Sequence, residues 1–139
     1  MKRVFLDANV LFTAAHNPRG KAAFLFELAG AGAFKLFTSS YAREEAERNI
    51  NAKYPACVDA FNQLLKGITV VPVTSLAVDC PEMLPAKDVP IFSAAVHCRA
   101  SHLLTGDTRH FGPLMNKPDL CGGMIIQTVA ESLESLLQK

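Results

Sequence analysis

Short apolar runs alternate with helical segments along the whole chain, and this alternation restricts the fold more than any other feature of the sequence. The runs that read as buried strands are residues 3–6, 34–37, 68–73, 102–105 and 124–126. Because they are apolar on both faces and are separated by helices, they are typical of a parallel sheet covered on both sides. The predicted fold is therefore α/β: a three-layer α/β/α domain with a central parallel sheet of four to five strands.

The segments between the strands carry helix signals of different strength. Residues 22–29 have helical composition and stop at Gly30, whereas residues 58–65 repeat apolar side chains at helical spacing. Residues 38–40 supply N-cap chemistry for a charged helix. After a proline-containing loop at 74–87, a further helix is predicted from Asp88, and a last one after the fifth strand.

Length and composition indicate one domain that spans residues 1–139. Half of the residues are hydrophobic and 19% are charged, which predicts a filled core rather than disorder. No apolar run is long enough to cross a membrane, and the N-terminal apolar run is interrupted by Asp7 too early for a signal peptide. These observations predict a cytoplasmic protein.

The cysteines argue against a structural zinc site. Cys57, Cys80, Cys98 and Cys121 are widely separated, and none belongs to a C-x-x-C pair. Reduced and buried thiols are the simpler interpretation.

Four acidic residues follow separate predicted strands. Asp7 ends the first strand, Glu45 lies about one turn into the helix after the second, Asp88 begins the helix after the third, and Asp107 follows the fourth. In an open parallel sheet the functional crevice lies beyond the carboxyl ends of the strands. These four residues are therefore the candidate catalytic residues.

Each acid taken alone has an ordinary structural explanation. Asp7 could belong to a turn, and Glu45 could be one more solvated charge of a helix rich in charged residues. Asp88 could be an N-cap with Pro90 in the first turn, and Asp107 could cap a turn. Together, however, four clustered carboxylates repel one another unless a cation compensates. Oxygen ligands suit Mg²⁺ or Mn²⁺, which can activate water for phosphodiester hydrolysis.

Four segments of the chain contain the candidate site residues: 4–11 (VFLDANVL), 38–45 (TSSYAREE), 87–91 (KDVPI) followed by Ala94 and Ala95, and 103–107 (LLTGD). These segments resemble motifs of the PIN domain family, and they occur in the order that the family has. The closest resemblance is to the VapC-like branch, the toxin components of toxin–antitoxin systems. It implies a ribonuclease that hydrolyses single-stranded RNA with Mg²⁺ or Mn²⁺.

The resemblance also implies residue roles. Asp7, Asp88 and Asp107 would be metal ligands, directly or through water, with Glu45 completing the catalytic set. Asn9 and Thr105 would orient the carboxylates by hydrogen bonds, although a turn Asn and a strand-end Thr need no such role. Glu44 competes with Glu45 for its position; Glu45 is preferred because Ala46 and Ile50 follow it at the spacing typical of the family.

One segment departs from the pattern of the family. Many relatives have a further acid just after the Gly-Asp of the fourth strand, whereas this chain has Thr108, Arg109 and His110. The number of metal ions is therefore open. Arg109 and His110 could contact the scissile phosphate as charge-assisted donors, or both could lie on a solvated turn.

The net charge and the other sequence patterns limit the alternatives. With a net charge of +1, backbone charge alone is a poor basis for binding nucleic acid, so either the basic residues share one face or metal ions attract the phosphate. A PIN ribonuclease of RNA processing or quality control remains an alternative, as does a non-catalytic RNA-binding or partner-binding PIN module.

The expected partners are RNA, an antitoxin protein and a second copy of the chain, with residues 24–28 or 58–65 as dimer surfaces. A receiver or phosphatase domain would have a pair of acids at the first strand, and a phosphate-binding glycine loop is missing.

Overall fold

The computed structural model describes residues 1–72 and 80–137. Its sheet has the strand order β3-β2-β1-β4-β5, and every neighbouring pair is parallel. The strands are β1 (Arg3–Leu6), β2 (Lys35–Ser39), β3 (Thr69–Val71), β4 (His102–Leu104) and β5 (Ile125–Gln127). The sheet is the middle layer of an α/β/α fold, so the predicted fold class is confirmed.

Six α-helices accompany the sheet in the part of the chain that the structure describes. They are α1 (Ala8–His16), α2 (Lys21–Gly30), α3 (Ser40–Lys53), α4 (Val58–Leu65), α5 (Val89–His97) and α6 (Val129–Leu137). Among the described residues, none of these helices is long and apolar enough to cross a membrane.

The central strand β1 is the most deeply buried part of the sheet. Val4, Phe5 and Leu6 are fully buried, because β2 and β4 flank the strand and helices cover its two faces. Burying side chains of this size contributes about 1.5–3 kcal/mol each. The core therefore fixes where β1 ends, and with it the position of the residue that follows.

Most predicted elements are present, with small shifts at their ends. Strand β2 extends through Ser39, which caps α3 by accepting a hydrogen bond from the Ala42 N–H, as its position in the sequence predicts. Strand β3 ends at Val71, and the predicted strand end at Val73 lies outside the described residues, as do positions 74–79 of the predicted loop.

Helix α1 has no counterpart in the predictions from the sequence. It begins directly after β1, with Asp7 as its N-cap, so the chain turns from strand to helix without an intervening loop. Its buried residues Val10, Leu11, Ala14 and Ala15 repeat at i, i+1, i+4 and i+5. This pattern is the signal that could have revealed the helix.

The strand order places the ends of β1 and β4 side by side. Strands β2 and β3 extend the sheet on one side of β1, whereas β4 and β5 extend it on the other. The last residues of the two central strands, Leu6 and Leu104, are register partners. Such a reversal of strand order opens the crevice in which parallel α/β folds place their functional residues.

Helix α6 begins beside this crevice with a reciprocal capping arrangement. The Thr128 hydroxyl accepts a hydrogen bond from the Glu131 N–H (3.2 Å), and the Glu131 carboxylate accepts one from the Thr128 N–H (2.9 Å). This capping box satisfies two backbone donors at the start of the helix.

We expect Thr128→Ala to lower the free energy of unfolding by about 1 kcal/mol, because the helix loses its capping hydroxyl. Thr128→Ser keeps the hydroxyl and is expected to unfold like the wild type. Urea denaturation followed by circular dichroism measures both. Equal stability of the alanine and serine variants would contradict the capping role.

Candidate active site

Asp7 lies at the centre of the crevice, and its carboxylate is buried. Its Oδ1 accepts a hydrogen bond from the Ala8 N–H (2.7 Å), and its Oδ2 accepts one from the Thr105 hydroxyl (2.8 Å). Thr105 follows β4 and is itself fully buried. Its oxygen accepts the Asp107 N–H at 3.0 Å, which leaves the hydroxyl proton for Asp7. The ends of β1 and β4 therefore fix the carboxylate from two sides.

Asn9 makes a second link between the same two strand ends. Its Oδ1 accepts a hydrogen bond from the Gly106 N–H at 2.7 Å, and its Nδ2 lies 3.4 Å from both Asp7 Oδ2 and Thr105 Oγ1. A Cβ at position 106 would lie 3.3 Å from Asn9 Oδ1, tighter than most real contacts. The glycine therefore allows the backbone to approach the amide closely.

Asp107 has two contacts with His110, three residues further along the chain. Its Oδ1 accepts the His110 backbone N–H at 3.1 Å, so it does cap the turn, as its ordinary structural explanation predicts. Its Oδ2 lies 2.6 Å from His110 Nδ1. The imidazole therefore lies against the carboxylate, within the acidic cluster.

Asp88 closes a single 3₁₀ turn, Ala86–Asp88, that leads into α5. It occupies the N-cap position of α5, yet its side chain makes no capping hydrogen bond. The residue is only 8% exposed, and among the described residues its Oδ2 has no hydrogen-bond partner. His110 Nδ1 lies 3.6 Å from this oxygen. The N-cap explanation of this carboxylate therefore fails, and its buried oxygen requires another.

Glu44 and Glu45 are both exposed on α3, but they differ in their effect on the crevice. The pKa of Asp7 is raised to about 6, mainly by burial, and the charges of Glu45 and Asp88 add to the rise while the hydrogen bonds from Thr105 and Ala8 oppose it. Glu44 is not among these charges. Of the two glutamates, Glu45 is therefore the one whose charge acts on Asp7.

The other two aspartates have opposite pKa shifts. Burial raises the pKa of Asp88, with the charge of Asp107 adding to the rise and that of His110 opposing it. Burial also acts to raise the pKa of Asp107, but hydrogen bonds from His110 and the charges of His110 and Lys87 bring it below its usual value. The cluster thus combines carboxylates in competing environments, which is common at functional sites.

Three further residues lie next to the acids in the sequence: Arg109, which has a predicted role, and Gly106 and Lys87, which have none. Arg109 is exposed on the turn between Asp107 and His110. Gly106 donates its N–H to Asn9 Oδ1, and the positive charge of Lys87 lowers the pKa values of Asp88 and Asp107. The signal for both was their position directly before an acid.

The donor set fits a divalent cation. One ligand atom from each of Asp88, Asp107 and His110 can be chosen so that all three lie within 4.8 Å of one another. Asp88 Oδ2, which has no hydrogen-bond partner in the described parts of the chain, favours a positively charged neighbour, because a buried carboxylate oxygen without a partner costs free energy. Carboxylate oxygens are the ligands that hard divalent ions prefer. The fold and site therefore define an α/β domain with an acidic crevice whose donor set fits a divalent cation.

Comparison with known proteins identifies the family of this domain. The family model for the PIN domain matches residues 3–109, which include Asp7, Glu45, Asp88 and Asp107. The chain therefore belongs to the PIN domain family, as the sequence motifs predicted. No curated protein matches the sequence.

Two solved structures have a similar fold. A chain of VapBC2 from Rickettsia felis, in a crystal structure with a DNA fragment from their promoter, superposes with a TM-score of 0.63 at 14% identity, covering 91% of this chain and 98% of that one. A chain of VapBC-1 from nontypeable Haemophilus influenzae gives a TM-score of 0.54 at 14% identity, covering 92% and 98%. At this identity the similarity establishes the fold.

The raised pKa of Asp7 predicts that this residue destabilises the folded chain at neutral pH when metal is absent. The folded chain keeps the proton on Asp7 up to about pH 6, whereas a free Asp releases it near 3.8. The part of the folding stability that depends on a protonated Asp7 is therefore fully present below about pH 4 and is lost as the pH rises to about 6. The two-unit difference corresponds to about 3 kcal/mol as an upper bound.

We expect Asp7→Asn in EDTA to raise the free energy of unfolding at pH 7 by about 1–3 kcal/mol, with little difference at pH 4. Denaturant unfolding at both pH values measures this. Asp119→Asn removes an exposed acid and should leave the pH dependence as in the wild type. A lower stability of Asp7→Asn at both pH values would show that its hydrogen bonds outweigh its charge.

Proposed function

We propose that the chain is a metal-dependent endoribonuclease that hydrolyses single-stranded RNA and acts in the cytoplasm as the toxin of a toxin–antitoxin pair. The observation that carries the proposal is the buried Asp88 Oδ2, which has no hydrogen-bond partner among the described residues and lies in a cluster with Asp107. The charge of Asp88 also adds to the effect of burial in raising the pKa of Asp7. Such a cluster is costly for a fold unless a cation neutralises it.

Asp7, Asp88 and Asp107 are the proposed ligands of Mg²⁺ or Mn²⁺. Glu45 completes the catalytic set from the open side of the crevice, where its exposure leaves it accessible to water and substrate. When bound, a divalent ion would lower the pKa of a coordinated water and stabilise the leaving oxygen. The chain's own residues have the task of holding the carboxylates in position.

Thr105 and Asn9 are the proposed positioning residues. The Thr105 hydroxyl accepts a hydrogen bond from the Asp107 N–H and donates its proton to Asp7. This one side chain therefore orients both the carboxylate of Asp7 and the backbone at Asp107. Asn9 ties the same strand ends through Gly106. Substitution of a residue that positions a metal ligand commonly lowers metal affinity or activity 10- to 100-fold.

Arg109 is the proposed contact to the scissile phosphate, whereas His110, the other residue expected there, lies against Asp107. The guanidinium of Arg109 is exposed beside the cluster and can donate two hydrogen bonds to one phosphate group. A net charge of +1 gives the chain little general attraction for a polyanion. A bound cation with a few local donors is therefore the proposed anchor for the phosphate.

The proposal of a toxin with an antitoxin partner is supported by the fold, which is like that of chains in two VapBC toxin–antitoxin complexes. Family membership is consistent with this, since the family model spans the acidic residues. The test is co-expression with the product of a small adjacent gene. Recovery of a stable complex with suppressed nuclease activity is expected, and free, fully active enzyme would favour a role in RNA processing instead.

Cleavage of single-stranded RNA tests the activity directly. We expect the wild type to cut RNA with Mg²⁺ or Mn²⁺ and to be inactive in EDTA. Asp7→Asn, Asp88→Asn and Asp107→Asn should each lose about 100-fold or more, because losing a ligand should exceed the effect of losing its positioning partners. Circular dichroism should show that all three variants remain folded.

The two neighbouring glutamates of α3 offer a matched control. Glu45→Gln should lose activity, whereas Glu44→Gln, one position away and equally exposed, should stay close to the wild type. The reverse result would move the role to Glu44. A folded wild type that cuts no RNA with either ion would leave a non-catalytic binding module as the better description.

A further inference from the structure

The turn after β4 presents an imidazole nitrogen to the acidic cluster. His110 Nδ1 lies 2.6 Å from Asp107 Oδ2 and 3.6 Å from Asp88 Oδ2. Asp107 follows β4 and Asp88 precedes α5, so three side chains from two separate parts of the chain converge on one point. This nitrogen lies within reach of both carboxylates, either as a hydrogen-bond partner or as a ligand of a shared ion.

The backbone that carries the imidazole is held in place by the fold. The His110 backbone N–H donates to Asp107 Oδ1, and the next backbone N–H, that of Phe111, donates to the Asp107 carbonyl at 3.2 Å. Phe111 is fully buried in the core. The turn therefore holds the backbone of His110 beside the carboxylate of Asp107.

The separations are close to those of ligands around one ion, although neither falls within the ideal range. With metal–ligand bonds of about 2.1 Å, two neighbouring ligands at octahedral or tetrahedral angles lie about 3.0–3.4 Å apart. His110 Nδ1 lies 2.6 Å from Asp107 Oδ2, a hydrogen-bond distance, and 3.6 Å from Asp88 Oδ2, so a bound ion would have to replace the first contact and draw the two aspartates to similar distances from the nitrogen. Asp88 Oδ2 is buried and, in the described part of the chain, has no hydrogen-bond donor, so one corner of the triangle still needs a cation.

We propose that His110 is a metal ligand together with Asp88 and Asp107, which makes this a mixed nitrogen–oxygen site that prefers a transition ion such as Mn²⁺ to Mg²⁺. The inference rests on the metal site of the proposed function and specifies its ion. Mg²⁺ favours oxygen ligands, whereas imidazole suits first-row transition ions. His110 is thereby assigned to the ion rather than to the phosphate.

The alternative role for His110 is that of a hydrogen-bond partner that only positions Asp107. In that case its loss would weaken Mg²⁺ and Mn²⁺ binding to the same extent, because both ions use the same carboxylates. If His110 is a ligand, its loss would weaken the binding of Mn²⁺ more than the binding of Mg²⁺. The ratio of the two affinities therefore separates the two roles.

The test is metal binding by the full chain, with Mn²⁺ and Mg²⁺ alone as probes. Isothermal titration calorimetry should give tighter binding of Mn²⁺ than of Mg²⁺ to the wild type. His110→Asn should weaken Mn²⁺ binding about 10- to 100-fold and leave Mg²⁺ binding nearly unchanged. Asn is chosen because its amide can still donate to Asp107 but offers no imidazole nitrogen. His97→Asn, at the far end of α5 from Asp88, is the matched control and should bind as the wild type does.

Pulsed electron paramagnetic resonance of the Mn²⁺-loaded protein gives a direct readout. Modulation from a coordinated ¹⁴N is expected in the wild type and in His97→Asn, and its absence is expected in His110→Asn. Labelling histidine alone with ¹⁵N should replace the ¹⁴N modulation of the wild type by a ¹⁵N coupling. This measurement uses only the wild-type chain, so it does not depend on the folding of any variant. No nitrogen coupling in the wild type, or equal losses of both ions in His110→Asn, would overturn the assignment.

The outcomes separate this inference from the proposed function. Nitrogen coupling in a wild type that cuts no RNA would support the ligand and reject the nuclease. RNA cleavage with equal Mg²⁺ and Mn²⁺ affinities and no nitrogen coupling would support the nuclease and reject the ligand.

Discussion

The site depends on one hydrogen bond, from the Thr105 hydroxyl to the buried carboxylate of Asp7. It joins the ends of β1 and β4, the two strands between which the order of the sheet reverses. The pairing of Leu6 with Leu104 places the donor and acceptor within reach, and the Asp107 N–H fixes the direction in which the hydroxyl points. Because the parallel sheet is built around these two strands, the orientation of the carboxylate follows from the core packing.

The same arrangement lowers the stability of the chain. Asp7 is buried, and its charge is opposed by Glu45 and Asp88, so its pKa rises to about 6. A fold selected for stability alone would place a neutral residue there, since an uncompensated buried charge is costly. The central strand, with fully buried Val4, Phe5 and Leu6, supplies the packing that tolerates this cost. The residues of β1 that stabilise the core are therefore followed directly by Asp7, which destabilises the fold.

The sequence was sufficient for features that depend on periodicity and on the ends of strands. Asp7 and Thr105 could be expected to meet, because parallel strands end at the same edge of a sheet. It was not sufficient for α1, because the predicted turn at Asp7 concealed a strand that passes directly into a helix. Nor could it show that the Asp88 side chain leaves the backbone of α5 uncapped, since an Asp before a proline-containing first turn is normally a cap. Such choices depend on the neighbours in space, among them His110, whose contact with Asp88 spans two separate elements.

The near balance of charge and the composition of the cluster lead to the same conclusion about recognition. With a net charge of +1, the chain has little general attraction for a polyanion, so the proposed binding of RNA depends on a few local groups or on basic residues that share one face. Lys87 and Arg109 adjoin the acids, and together with a divalent cation held by these acids they would offset the negative charge of the crevice. His110 Nδ1 lies 2.6 Å from Asp107 Oδ2, so the proposed ion would have to take the place of this contact. An ion bound to the nitrogen and to both carboxylates would put its positive charge beside the position proposed for the scissile phosphate.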